Sequence, residues 1–136
     1  MSKSDYLENK ILNHVLKNTA YTSPTTVYLA LYIADPLDTG LGTGALEVSA
    51  DPGYTSGYAR QAVTWGTPVD GVVANSAIID FGPIVCTANI TVTHGQLMDS
   101  LTGGNPLYND PVEIARTVTN GKTLRLAVGD LTVTET

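Results

Sequence analysis

Residues 53–66 read GYTSGYARQAVTWG, and the layout of this stretch decides the fold. It holds the only Trp, Trp65, two of the seven Tyr, and Arg60 set among small or neutral residues. It opens in a Gly-rich loop and becomes strand-like from Tyr58 to Trp65. Side chains alternate along a strand, so Ala59, Val63 and Trp65 share one face while Tyr58, Arg60 and Thr64 share the other. Gln61 is the awkward member of the apolar face. A buried amide needs partners, so Gln61 is either a satisfied polar group in the core or the mark of a bend. Trp65 is expected to anchor a central strand. Tyr58 and Arg60 are candidates for a partner-contact surface, where both residue types are enriched.

Upstream, Thr25 to Ala34 reads TTVYLALYIA. Val27, Leu29, Leu31 and Ile33 alternate with Tyr28, Ala30, Tyr32 and Ala34. Both faces are apolar, which predicts a strand covered on both sides. Asp35-Pro36 ends it, because Pro cannot donate to a ladder. Residues 35–57 then form a long loop rich in Gly, Asp, Thr and Pro, of the length usual for a functional arm or a mobile segment. Leu37, Leu41, Leu46 and Val48 are its candidate partner contacts, and Leu46 to Val48 a candidate short strand. Before all this, Ser4 to Lys17 is expected to be helical. Leu7, Ile11, Leu12, Val15 and Leu16 make an apolar stripe, Ser4 a cap, Asp5 and Glu8 an acidic first turn, and Asn18 a stop. So short a helix is marginal alone and should dock its stripe on a sheet or a neighbouring subunit.

Downstream, Asn75 to Phe81, Ile90 to Met98, Val112 to Val118 and Lys122 to Val128 read as strands. Asn120-Gly121 is a hairpin signal and Gly129-Asp130 a tight turn before Leu131 and Val133. Seven to nine short strands behind one helix predict a mainly β domain over residues 1–136, an antiparallel sandwich or jelly-roll-like barrel. The core expected for it is Val27, Leu29, Leu31, Ile33, Val63, Trp65, Phe81, Leu124 and Leu126.

Composition narrows function. Of 136 residues only 15% are charged, against about 25% in an average soluble domain. Such a surface suits packing against other subunits. The formal net charge is -6, with seven Lys and Arg in all, which lacks the basic footprint of a nucleic-acid binder and disfavours anionic membrane surfaces. Cys86 stands alone, so no disulfide forms within the chain, and it reads as a small buried hydrophobe. The first residues lack a signal-peptide core and no run approaches the ~18 apolar residues of a membrane span. Synthesis in a cytoplasm and a soluble product are expected.

No catalytic motif emerges. His14, Cys86 and His94 do not give metal-site spacing, and His94 with Asp99 is too little for a triad. Gly40-Leu41-Gly42-Thr43-Gly44 does not join a strand to a helix, so it reads as a loop and not a phosphate cradle. Asp35, Asp38, Glu47 and Asp51 lack the spacing of a calcium loop. No catalytic residue, cofactor or metal is expected.

Taken together, the blocks VYLALYIADP, EVS, GYARQAVTWG, NSAIIDFGP, VTHGQLMD, GGNPLY and NGKTLRLAVGDLTVT resemble a small family of tailed-bacteriophage virion proteins. They span Val27 to Thr134, and GYARQ at 57–61 and GDLTVT at 129–134 are the most specific. Gly95-Gln96 and Pro106 depart from the pattern. Members are often labelled tail-fibre-like or minor structural proteins, and some are similar to capsid cement, or decoration, proteins. The resemblance implies a β-rich virion component without enzymatic activity. A cement protein on the capsid exterior is the leading expectation: a homotrimer holding the major capsid protein lattice, with the 35–57 loop and the helix as arms. A tail-fibre or minor tail protein is the alternative; the chain has no heptads or shaft repeats. A carbohydrate-binding or hydrolytic β-sandwich comes third. Trp65 and the tyrosines could form a sugar platform for it, but no acid pair stands out.

Overall fold

The computed structural model describes residues 1–39 and 47–135, with backbone alone at 111–114. In chain order the elements are β1 (Ser2–Lys3), α1 (Asp5–Leu16), β2 (Tyr28–Tyr32), β3 (Tyr54–Ser56), β4 (Gln61–Ala62), β5 (Val72–Ala74), β6 (Ile79–Cys86), β7 (Ile90–Met98), β8 (Pro106–Val118), β9 (Lys122–Leu126) and β10 (Thr132–Thr134). One antiparallel sheet runs β1-β8-β7-β2-β4, a second runs β3-β6-β9, and a third pairs β10 with β5. The chain is mainly β with antiparallel sheets and one helix near its start, consistent with a β-sandwich.

β2 shows why a strand can be apolar throughout. Leu29 and Leu31 enter the main core, with Leu97 next door on β7, while Ala30 and Tyr32 join Met98 in a second buried cluster. Both faces are covered, as the alternation predicted. On β6 the alternation changes phase. Ile79 and Phe81 are buried, then Ile84 and Cys86, with the register shifting between them opposite β9. One extra residue in a ladder moves every later side chain to the other face, and the apolar set shifts by one to compensate. Of the expected core, Leu29, Leu31, Val63 and Phe81 are buried. Val27, Ile33, Leu124 and Leu126 are half-buried and pack on its margin. Cys86 is buried.

The 58–65 stretch is not one strand. Only Gln61 and Ala62 belong to a strand, opposite Leu29 and Tyr28 of β2. Beyond them Val63 N–H donates to Val27 O at 2.9 Å, and Trp65 bridges Asn75 at the small sheet. The segment therefore crosses from one sheet to another. Gln61 marks this bend, half-buried with Nε2 donating to Ala59 O at 3.0 Å. Trp65 accordingly lies half-buried against the core and does not anchor a central strand.

Asn120-Gly121 likewise joins sheets and does not close a hairpin. β8 pairs with β7 and β1, while β9 adds beside β6. Lys122 N–H closes the turn on Thr119 O at 3.1 Å. The turn is then pinned to β6: Gly121 N–H donates to Ile84 O at 2.8 Å and Cys86 N–H to Asn120 Oδ1 at 3.1 Å. The Gly129-Asp130 turn forms as expected, with Asp130 N–H on Ala127 O at 3.1 Å. Its support, Asn75, carries no local sequence signal. This amide is 1% exposed; Nδ2 donates to Ala77 O and Ala127 O, and Oδ1 accepts from Gly129 N–H and Leu131 N–H. All four of its hydrogen-bonding positions are filled.

α1 begins as the capping pattern requires. Ser4 Oγ accepts from Leu7 N–H at 3.2 Å, and Ser4 N–H donates to Leu107 O at 2.8 Å, tying the helix start to β8. Asn18 follows the end at φ 51°, a conformation Asn tolerates. The stripe docks only in part. Leu7 is buried and Ile11 half-buried, but Leu12, Val15 and Leu16 are 54%, 69% and 74% exposed. Near β1, Glu135 pairs with Lys3 Nζ and accepts from Tyr108 Oη at 2.6 Å, which ties both ends of the chain to β8.

Two predictions follow from backbone and charge. Gly57 has φ 94°, and a Cβ there would lie 2.0 Å from Pro83 O, whereas one on Gly121, at φ 78°, meets nothing within 4 Å. Urea unfolding should show Gly57→Ala losing more than about 3 kcal/mol and Gly121→Ala about 1 kcal/mol. Equal losses would show that the 57–83 approach is loose. The second concerns acid. Lys3, then the Tyr108 hydroxyl, hold the Glu135 carboxyl below its ordinary pKa. A depressed carboxyl contributes stability that is complete above its unfolded value and is lost as pH falls through the folded one. The melting temperature of the parent chain should drop more than that of Glu135→Gln between about pH 5 and pH 3. Parallel curves would refute the contribution.

Candidate functional site

Arg60 and Tyr58, the two residues singled out as partner contacts, turn inward. The positive φ of Gly57 turns the chain just before them. Arg60 is 9% exposed and meets Glu47, which enters beside β2 through a bridge to Tyr32. The guanidinium is bidentate: Nε donates to Glu47 Oε1 at 3.0 Å and Nη2 to Oε2 at 2.9 Å. Its Nη1 donates to Ser100 O at 2.9 Å and to Gly103 O at 2.8 Å, carbonyls of the loop between β7 and β8. That loop is itself braced, because Asp99 accepts from Asn105 N–H at 2.7 Å and from Asn105 Nδ2 at 2.9 Å.

Tyr58 completes the cluster. Its hydroxyl donates to Glu47 Oε1 at 2.8 Å and accepts from Leu31 N–H at 3.0 Å, where β4 no longer covers the edge of β2. Its ring stacks on Phe81, with centroids 6.0 Å apart and planes at 10°. The Tyr54 hydroxyl accepts from Tyr58 N–H at 3.1 Å. Burial, then the Glu47 carboxylate, push the Tyr58 hydroxyl far above its ordinary pKa. Hydrogen bonds donated to the Glu47 carboxylate hold the Arg60 guanidinium even more firmly charged than usual. The planar fork of Arg matches a carboxylate and two carbonyls at once, which a Lys ammonium cannot do. Four N–H···O contacts engage all three guanidinium nitrogens within the chain. The chemistry of this cluster is that of a lock joining four segments.

The other candidate contacts divide. Val48 is fully buried in a single 3₁₀ turn, Val48–Ala50, and so belongs to the core. At Glu47 and Val48, the described part of the short strand expected there, a lone bridge and this turn stand instead. Leu37 is 49% exposed and stays available. Leu41 and Leu46 lie outside the described residues. His94 rests on Thr93 Oγ1 at 2.9 Å while Asp99 serves the 99–105 loop, so the two do not act together. His14 is exposed on α1. Among the described residues no three His, Cys, Asp or Glu side chains gather as metal ligands, and no helix is long and apolar enough to cross a membrane. The exposed half of α1 is the largest feature that the pattern hid, since periodicity alone does not say how much of a stripe docks.

Removing one member of a buried ion pair strands the other charge. Arg60→Ala should therefore cost about 3–5 kcal/mol in urea unfolding, and Arg60→Lys should recover less than half of it. Full recovery by Lys would show that charge alone matters and the fork does not.

The comparison with known proteins bears on the whole chain. No curated protein matches it. A family model described as "Podophage GP4 fiber I protein gp80" matches residues 2–134, from β1 through β10 and so across all three sheets. The chain belongs to this podophage fibre protein family.

Proposed function

We propose that this protein is a non-enzymatic structural subunit of the fibre apparatus of a tailed phage. The chain belongs to a phage structural protein family. The match to a fibre protein over residues 2–134 carries the fibre reading. The buried cluster supports it as well, because Arg60, Glu47 and Tyr58 spend their polar groups on each other and on backbone. That is the design of a rigid body. We further propose that copies assemble as a closed homotrimer through the exposed Leu12, Val15 and Leu16 of α1.

Capsid cement is the second reading, with the protein on the capsid exterior and the major capsid protein as partner. A small β body with neither heptads nor shaft repeats favours it. Neither reading involves nucleic acid, membrane, metal or cofactor.

Copy number separates the two. Gel densitometry of purified virions against the major capsid protein should give tens of copies or fewer for the fibre reading. Hundreds of copies would replace it with cement, and absence from the virion would overturn both. A monomer mass both free and on the particle would remove the trimer.

A further inference from the structure

β8 and β9 part from the Thr119–Lys122 turn and enter different sheets, which leaves a groove between them. Arg116, Thr117, Lys122, Thr123 and Arg125 line it, with Leu124 half-buried among them. β9 is the last strand of its sheet. It pairs with β6 on one side, and past the Lys122 N–H that closes the turn on Thr119 O no backbone hydrogen bond reaches its other edge among the described residues. Beyond Lys122 N–H that edge presents unpaired N–H and C=O groups as far as Leu126, a template for one more strand.

The charge around the edge is opposite to that of the chain. Three of the seven Lys and Arg gather here on a protein of net charge -6. Arg125 is committed to Asp80, with Nε on Oδ1 at 2.7 Å and Nη2 on Oδ2 at 2.9 Å. Arg116 and Lys122 are exposed and have no acidic partner among the described residues. Two copies meeting edge to edge would set these cations against each other. The same cations favour a strand that carries carboxylates. The groove thus rejects its own kind and accepts an acidic partner, which is how specificity is built from one set of charges.

We propose that this groove takes an extended, carboxylate-bearing polypeptide segment of a partner protein, added as a strand on the free edge of β9. Ladder hydrogen bonds along Lys122–Leu126 would supply the pairing, and Arg116 with Lys122 the choice of an acidic sequence. The proposal goes beyond the virion reading and does not depend on it.

The test uses purified full-length protein and fluorescein-labelled octapeptides of alternating Glu and Val, alternating Lys and Val, and a backbone N-methylated version of the first. Oligogalacturonate of equal charge is the non-peptide probe. The Glu peptide should bind at least ten-fold more tightly than the other three and slow hydrogen exchange of the β9 amides. The R116E/K122E variant should reverse the order and prefer the Lys peptide; its melting curve, and those of the single variants R116E and K122E, check that the fold is kept. Equal binding of the N-methylated peptide would overturn strand addition. Stronger binding of oligogalacturonate would make the groove a glycan surface instead. No binding by the Glu peptide, or no response to the charge reversal, would sink the proposal. These measurements use no virion, so their failure leaves the copy-number result untouched.

Discussion

The Arg60–Glu47 ion pair is the constraint on which the rest of the structure depends. It draws together the residues leading into β4, the segment beginning at Glu47, the 99–105 loop and, through Tyr58, the edge of β2. Apart from β2, these segments lie largely outside regular ladders, so little else would hold them in register. An ion pair so enclosed is not a large source of stability against an apolar substitute, because desolvation offsets much of the attraction. Its value lies in selectivity: a fork, a carboxylate and two carbonyls fit in one arrangement, and compact alternatives leave a buried charge unmatched.

Asn75 repeats the logic at the other end. A single buried amide fastens residues 77, 127, 129 and 131, where the β6–β9 pair comes close to β10 without sharing a ladder with it. Polar side chains thus fasten the loops of the large sheet at Arg60 and the approach of the two smaller sheets at Asn75. Gln96 marks the contrast. It is fully buried opposite Asn109 on β8, and its amide has no protein partner among the described residues.

Much of the fold was legible because periodicity reports burial. The two-faced alternation of Val27 to Ile33, the Ser4 cap, the Asn18 stop and the strand from Ile90 to Met98 all appear where the residues place them. The errors share one cause. Tyr58 to Trp65 and Asn120-Gly121 carry correct local signals, strand-like and turn-like, yet each passes between sheets. Local pattern fixes conformation and leaves strand partners open. The candidate site failed for a related reason. Tyr58 and Arg60 were sorted by residue type onto an outer surface, while Glu47, which neutralises Arg60, stood 13 residues earlier in a segment read as an arm. A charge is drawn inward only when its partner is known, and that pairing is a tertiary fact. Val48 followed Glu47 into the core for the same reason.

The turn at Asn120-Gly121 also has a chemical lifetime. In a free chain this dipeptide degrades when the glycine nitrogen attacks the asparagine amide carbon and closes a five-membered imide with loss of ammonia; water then opens the imide to aspartate or isoaspartate. Here the two reacting groups are held by different atoms of β6, Gly121 N–H by Ile84 O and Asn120 Oδ1 by Cys86 N–H. The attack requires the Gly121 bond to be released, so the corner resists ageing for as long as it stays folded. A particle that waits long outside a host keeps its joints intact by the same contacts that shaped them.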